Sequence, residues 1–177
     1  MAMLSAPSVP SLKSARRWLG NAGQRLFRSD ALVQADATPF QVISDDGLVQ
    51  LRYYPPLRDT EIELDNGEVV PVSTRTQRTP LVLVPPLAVN MLIYDLFPRR
   101  SLVRYLRARG FAVVTFDWRG QGGSQRLLSN PARGHVDDFA DFVTDLDTVM
   151  SEVTLASMPG PHHVLAHSTG GAVLLLA

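Results

Sequence analysis

Apolar residues along this chain come in two kinds of grouping. From Phe40 they form short runs closed by turn residues. Phe40–Ser44 and Leu48–Tyr54 flank Asp45-Asp46-Gly47, and Glu61–Leu64 and Glu68–Val72 flank Asp65-Asn66-Gly67. Each arrangement predicts a β-hairpin. Leu81–Val84 is an unbroken apolar run, and Phe111–Phe116 is apolar but for Thr115, the pattern of strands buried on both faces. After the break Pro159-Gly160-Pro161, His163–Ala166 predicts another short strand. Between the strands the spacing lengthens. Ser101–Arg109 predicts a helix with Ser101 as N-cap, Gly110 past its end, and Leu102, Val103 and Leu106 on one face. Asp137 to about Val153 repeats Phe139, Phe142, Val143, Leu146, Val149, Met150 and Val153 in steps of three and one, and a last helix begins near Gly170. A hairpin followed by alternating strands and helices predicts an α/β fold. Its sheet should be mostly parallel, with helices on both faces and the strands at 81–84, 111–116 and 163–166 side by side.

The 177 residues suit one domain, and balanced charge, 17 Lys+Arg against 17 Asp+Glu, gives no reason to expect nucleic acid. Cysteine is absent, which excludes disulfides, a cysteine nucleophile and thiolate metal sites. The neutral total hides an asymmetry. Residues 1–29 carry Lys13, Arg16, Arg17, Arg25 and Arg28 and no acid. Residues 1–38 are therefore expected to form a basic extension, disordered or loosely docked, with Leu12, Trp18, Leu19 and Leu26 as a weak amphipathic face. An organellar transit peptide has similar composition, and so does a basic helix making weak contact with an anionic membrane surface. With no secretory apolar core ahead of a small-residue cleavage site, the expected location is cytoplasmic. No apolar run approaches the roughly 20 residues that span a bilayer. The chain ends inside an apolar run, Leu174-Leu175-Leu176-Ala177, which carries the expectation of a truncated domain.

The strongest chemical signal is Leu165-Ala166-His167-Ser168-Thr169-Gly170-Gly171, between a strand and a helix. Small residues two before and two after Ser168 allow a sharp strand-to-helix turn that lifts a nucleophilic hydroxyl above the sheet and offers the Thr169 N–H to an oxyanion. A glycine-rich turn with an incidental serine fits the five residues equally well. No phosphate loop, zinc helix or dinucleotide fingerprint is present; position 125, where the last would need its third glycine, is Gln125. Asp45-Asp46 and Asp137-Asp138 read as a turn and a helix start rather than metal ligands, so no cofactor and no metal are expected.

Asp117-Trp118-Arg119-Gly120-Gln121-Gly122-Gly123-Ser124 resembles the D-x-R-G-x-G-x-S loop of α/β-hydrolases, whose role there is chiefly structural. Its order and spacing to Ser168 also resemble that family. Gly134-His135-Val136-Asp137-Asp138-Phe139 looks like the segment before the elbow in lysophospholipase and monoacylglycerol-lipase members. Leu81–Asn90 departs from most α/β-hydrolases by carrying Pro85-Pro86 in place of a His-Gly pair. There, with Asp95-Leu96 and Arg100–Leu106, it is similar to polyhydroxyalkanoate synthases, acyltransferases of the same fold with a cysteine at the elbow. The resemblance covers roughly residues 40–177 and implies an incomplete α/β-hydrolase domain over residues 39–177. It makes Ser168 the catalytic nucleophile and Thr169 and Leu87 the backbone oxyanion donors, although Leu87 also fits a core position at a strand end.

In that family the order is serine, acid, histidine, and residues 169–177 contain neither partner. His135, His162, His163 and His167 all precede Ser168 and read as surface or packing residues. The resemblance thus implies a carboxylic ester hydrolase acting on a small acyl-ester or lipid substrate, its acid and base lying outside these residues. The chain alone is then expected to be inactive. Acyl transfer is the close alternative, and a non-catalytic half-fold or pseudogene product the distant one; no partner protein is implied.

Overall fold

The computed structural model describes residues 37–45, 48–127, 135–156 and 160–177. The basic extension through residue 36, the Asp46-Gly47 turn and Gly134 lie outside the described residues.

Five strands build the main sheet, in the order β1-β2-β8-β5-β9. They are β1 (Gln41–Asp45), β2 (Gln50–Tyr54), β5 (Leu81–Val84), β8 (Val113–Asp117) and β9 (His163–Ala166). β1 pairs antiparallel with β2, and β2 antiparallel with β8, Gln50 opposite Asp117. β5 lies parallel to both β8 and β9, with Leu81 opposite Val113 on one side and His163 on the other. The three strands expected side by side and parallel are so placed.

β5 lies inside the sheet between β8 and β9 and is buried throughout, and its alternation divides two cores. Val82 and Val84, with Val114 and Phe116 of β8, face Leu146, Val149 and Val153 of α3 (Ala140–Leu155) and Val173 of α4 (Thr169–Leu174). Leu81 and Leu83 face Val103 of α1 (Leu102–Ala108), together with Met91 and Tyr94 of a 3-10 turn (Met91–Tyr94). Helices cover both faces, as four apolar strand positions buried on two sides require.

The second hairpin, β3 (Glu61–Glu63) with β4 (Val69–Pro71), stands apart as its own two-stranded sheet, Ile62 and Val70 packing on Ala108 of α1. A third pair, β6 (Asp95–Phe97) with β7 (Arg100–Ser101), and the short helix α2 (Gly122–Leu127) lie in stretches with no clear sequence rhythm.

Several boundaries differ from expectation for local reasons. β8 starts at Val113 rather than Phe111, because Phe111 N–H closes the end of α1 on Leu106 O at 3.2 Å. Ser101 caps α1 as predicted, its Oγ accepting from Arg104 N at 2.9 Å, but Leu102 turns outward and only Val103 and Leu106 face the core. α3 begins at Ala140, where Asp138 Oδ1 accepts from Ala140 N at 2.7 Å, which leaves Phe139 largely exposed. The last helix begins one residue early, at Thr169.

Candidate active site

Ser168 stands between β9 and α4 with φ +54° and ψ −124°, a left-handed backbone conformation that a non-glycine residue seldom takes. The turn is tight enough to exclude bulk from its neighbours. A Cβ on Gly170 would collide with Pro85 O and lie 3.1 Å from Val84 Cγ1. α4 therefore crosses directly over the loop that follows β5, and only a glycine fits at the crossing. Ser168 itself is exposed at the carboxyl end of the parallel strands.

That loop is fixed from three directions. Val84 O accepts from Tyr94 Oη at 2.7 Å and from His167 N at 3.1 Å. Burial pushes the Tyr94 phenol up to about 12, so it remains a neutral donor to this carbonyl. Pro85 O accepts from Trp118 Nε1 at 3.0 Å. Neither Pro85 nor Pro86 has an N–H, so Leu87 is the first residue after β5 with a backbone donor. That donor lies 2.8 Å from Thr169 Oγ1, which brings Leu87 and the Ser168–Thr169 turn together. The Thr169 N–H sits in the first turn of α4, where backbone donors have no intrahelical acceptor.

The loop from Asp117 to Ser124 holds this arrangement from behind. Asp117 Oδ1 accepts from Met91 N at 2.6 Å and its Oδ2 from Gly123 N at 2.7 Å. Ser124 Oγ donates to Asp117 O at 2.6 Å and accepts from Gln50 N at 2.9 Å. Arg119 reaches across to α3, its Nε 2.8 Å from Asp145 Oδ2 and its Nη2 2.6 Å from Asp145 Oδ1. This bidentate bond raises the guanidinium pKa further. These contacts are all internal, which is the structural role the loop was expected to have.

Three of the histidines, His163, His135 and His167, have described surroundings. His163 opens β9 at the end opposite Ser168 and stacks edge-on against Phe111 at 6.3 Å. His135 is exposed, with Nε2 3.5 Å from Asp137 Oδ1. No hydrogen bond links the His167 imidazole to Ser168 among the described residues, and no three His, Asp or Glu side chains gather there as a metal site would require.

A strained serine between a parallel strand and a helix, with backbone donors beside it, is an arrangement with relatives. The profile of the family described as "Serine aminopeptidase, S33" matches residues 99–177, from β7 through the serine turn. Over that stretch the chain is similar to α/β-hydrolases. The chain is 36% identical over 93 residues to a probable lysophospholipase L2 of Haemophilus influenzae, covering 52% of the chain and 28% of that protein. It is 46% identical over 70 residues to lysophospholipase L2 of Escherichia coli K12, covering 38% of the chain and 20% of that protein. A poly(3-hydroxyalkanoate) polymerase subunit of Thiocystis violacea is 28% identical over 133 residues, 74% of the chain and 33% of that protein. The chain thus matches a third or less of the length of each of these relatives.

The contact from Leu87 N to Thr169 Oγ1 was not anticipated from sequence. Its one available signal was a threonine, rather than an apolar residue, immediately after the serine.

Proposed function

We propose that the protein is a serine hydrolase of carboxylic esters, working through an acyl-enzyme intermediate on lysophospholipid or monoacylglycerol-like substrates. The observation that carries this reading is the left-handed backbone of Ser168 at the β9–α4 turn. Such strain persists where the surroundings hold it and the site gains from it, and here it lifts one hydroxyl clear of the sheet. The likeness to two lysophospholipases supports the substrate class.

In this mechanism the Ser168 hydroxyl attacks the ester carbonyl, and the carbonyl oxygen takes up negative charge. The Thr169 N–H is one donor to that oxygen, and Leu87 provides for a second. Each such donor lowers the barrier by roughly 3 kcal/mol. The serine also requires a base and a carboxylate to orient it, and the residues after Ser168 supply neither. The test uses the protein as its gene encodes it. A fluorophosphonate probe should label Ser168, identified by peptide mass spectrometry, and Ser168→Ala should lose both labelling and ester turnover. Undiminished turnover by Ser168→Ala would overturn the assignment.

Acyl transfer is the second reading. Pro85-Pro86 and the similarity to a polyhydroxyalkanoate polymerase favour it. Adding an alcohol acceptor separates the two: a hydrolase releases mainly free acid, and a transferase mainly the new ester.

A further inference from the structure

The Leu87 N–H already has an acceptor. Thr169 Oγ1 lies 2.8 Å from the nitrogen, within the separation an oxyanion takes from its donors. An oxygen that accepts a hydrogen bond points its own O–H elsewhere, and the Thr169 hydroxyl donates to no other group among the described residues. The side chain is exposed, it belongs to the residue next to Ser168, and its β-branch restricts χ1. A hydroxyl with no acceptor among the described residues therefore stands beside the Ser168 turn, its oxygen held by the Leu87 N–H.

Resting on the acyl-enzyme reading above, we propose that the Thr169 hydroxyl is itself a catalytic donor to the oxyanion. Leu87 N–H holds the hydroxyl from behind and acts as a positioning group. Thr169 then supplies two donors, its N–H and its O–H. As Ser168 Oγ bonds to the carbonyl carbon, the π pair of the C=O moves onto oxygen, and that oxygen accepts both hydrogen bonds; the proton stays on Thr169. A hydroxyl that accepts one hydrogen bond is polarised to donate a stronger one. The opposing possibility is a stopper, in which the hydroxyl blocks the Leu87 N–H and must swing away before an acyl oxygen enters. The two differ in sign: deleting a donor weakens binding of a charged oxygen, and deleting a stopper strengthens it.

The experiment needs no turnover. The same gene-encoded protein, labelled with 15N, is titrated with octanoate, a carboxylate whose oxygen stands in for the oxyanion, and followed at the Leu87, Ser168 and Thr169 amides. Wild type and Thr169→Ser should bind with Kd values within about twofold of each other. Thr169→Val, which keeps the shape and loses the hydroxyl, should bind about tenfold or more weakly, as loss of a hydrogen bond to a charged group implies. In the free protein the Leu87 amide proton should move upfield in Thr169→Val and stay in place in Thr169→Ser. Equal or tighter binding by Thr169→Val overturns the donor role and leaves the acyl-site reading standing. Wild-type amides that do not respond to octanoate overturn both together. Should Thr169→Val melt early, Thr169→Ala, which adds no bulk, is judged by the same criteria.

Discussion

Gly170 and Gly171 stand side by side in the first turn of α4, and a methyl group added to each meets opposite surroundings. At Gly170 it would strike Pro85 O, a backbone atom held in place by Trp118; at Gly171 the nearest atom is Ala166 Cβ at 4.0 Å. Gly170→Ala should therefore destabilise the protein by about 1–3 kcal/mol, the usual cost of overpacking. Gly171→Ala should be neutral or stabilise by up to about 1 kcal/mol, the helix propensity it gains. Urea unfolding of both variants checks the pair, and equal effects would contradict the close crossing of α4 over the β5 loop. The small residues around Ser168 were legible in the sequence because a sharp turn needs them. That Pro85 O is what a larger side chain would strike was not, because the two residues are far apart along the chain.

At the scale of elements, Arg119 and Asp145 tie the loop after β8 to α3. Their side chains retain only 12% and 3% of their exposure. An ion pair so enclosed costs most when one partner is removed and the other charge stays buried alone. Arg119→Ala should lose about 3–5 kcal/mol of stability. The double variant Arg119→Met, Asp145→Leu should recover most of that loss, because apolar groups of similar size replace the pair. Thermal or urea unfolding gives both numbers, and a double variant as unstable as the single would show that the charges themselves are required. The helix α3 could be placed from the spacing of Leu146, Val149 and Val153 alone. The same spacing says nothing of Asp145, because an acid beside apolar positions looks like a boundary residue until its arginine is found. The pair β6–β7 escaped for a different reason: strands of three and two residues are too short to show any rhythm.

For the molecule as a whole, the two buried tyrosines set an alkaline limit. Burial pushes both Tyr54 and Tyr94 up to about 12 from an ordinary 10, with the Asp95 charge adding to the effect at Tyr54. A folded state that holds these protons more tightly than the unfolded chain keeps its full advantage below pH 10 and loses it as pH rises toward 12. The urea midpoint should thus fall above pH 10, with phenolate absorbance from Tyr54 and Tyr94 appearing along with unfolding. Absorbance from all four tyrosines in the still-folded protein would contradict this. The sheet was the most legible part of the whole, since β5 is apolar at every position and β8 opens on Val113 and Val114, the pattern of interior strands. The separate β3–β4 sheet was legible as a hairpin, but its detachment from the main sheet depends on Ile62 and Val70 meeting Ala108, a packing fact that no local pattern records.

The strand order carries a consequence for how the molecule comes into being. Apart from the β1–β2 hairpin, each neighbour in the main sheet comes from a distant part of the chain: Gln50 meets Asp117, Leu81 meets Val113, and Leu81 meets His163. Contacts of that kind demand closure of long loops before they give anything back, which slows assembly. β9 is the last of these strands to leave a ribosome, and the strained conformation of Ser168 is imposed only when β9 docks beside β5. A nascent chain therefore holds an ordinary, relaxed serine until the rest of the sheet is in place, so the strained turn is born last.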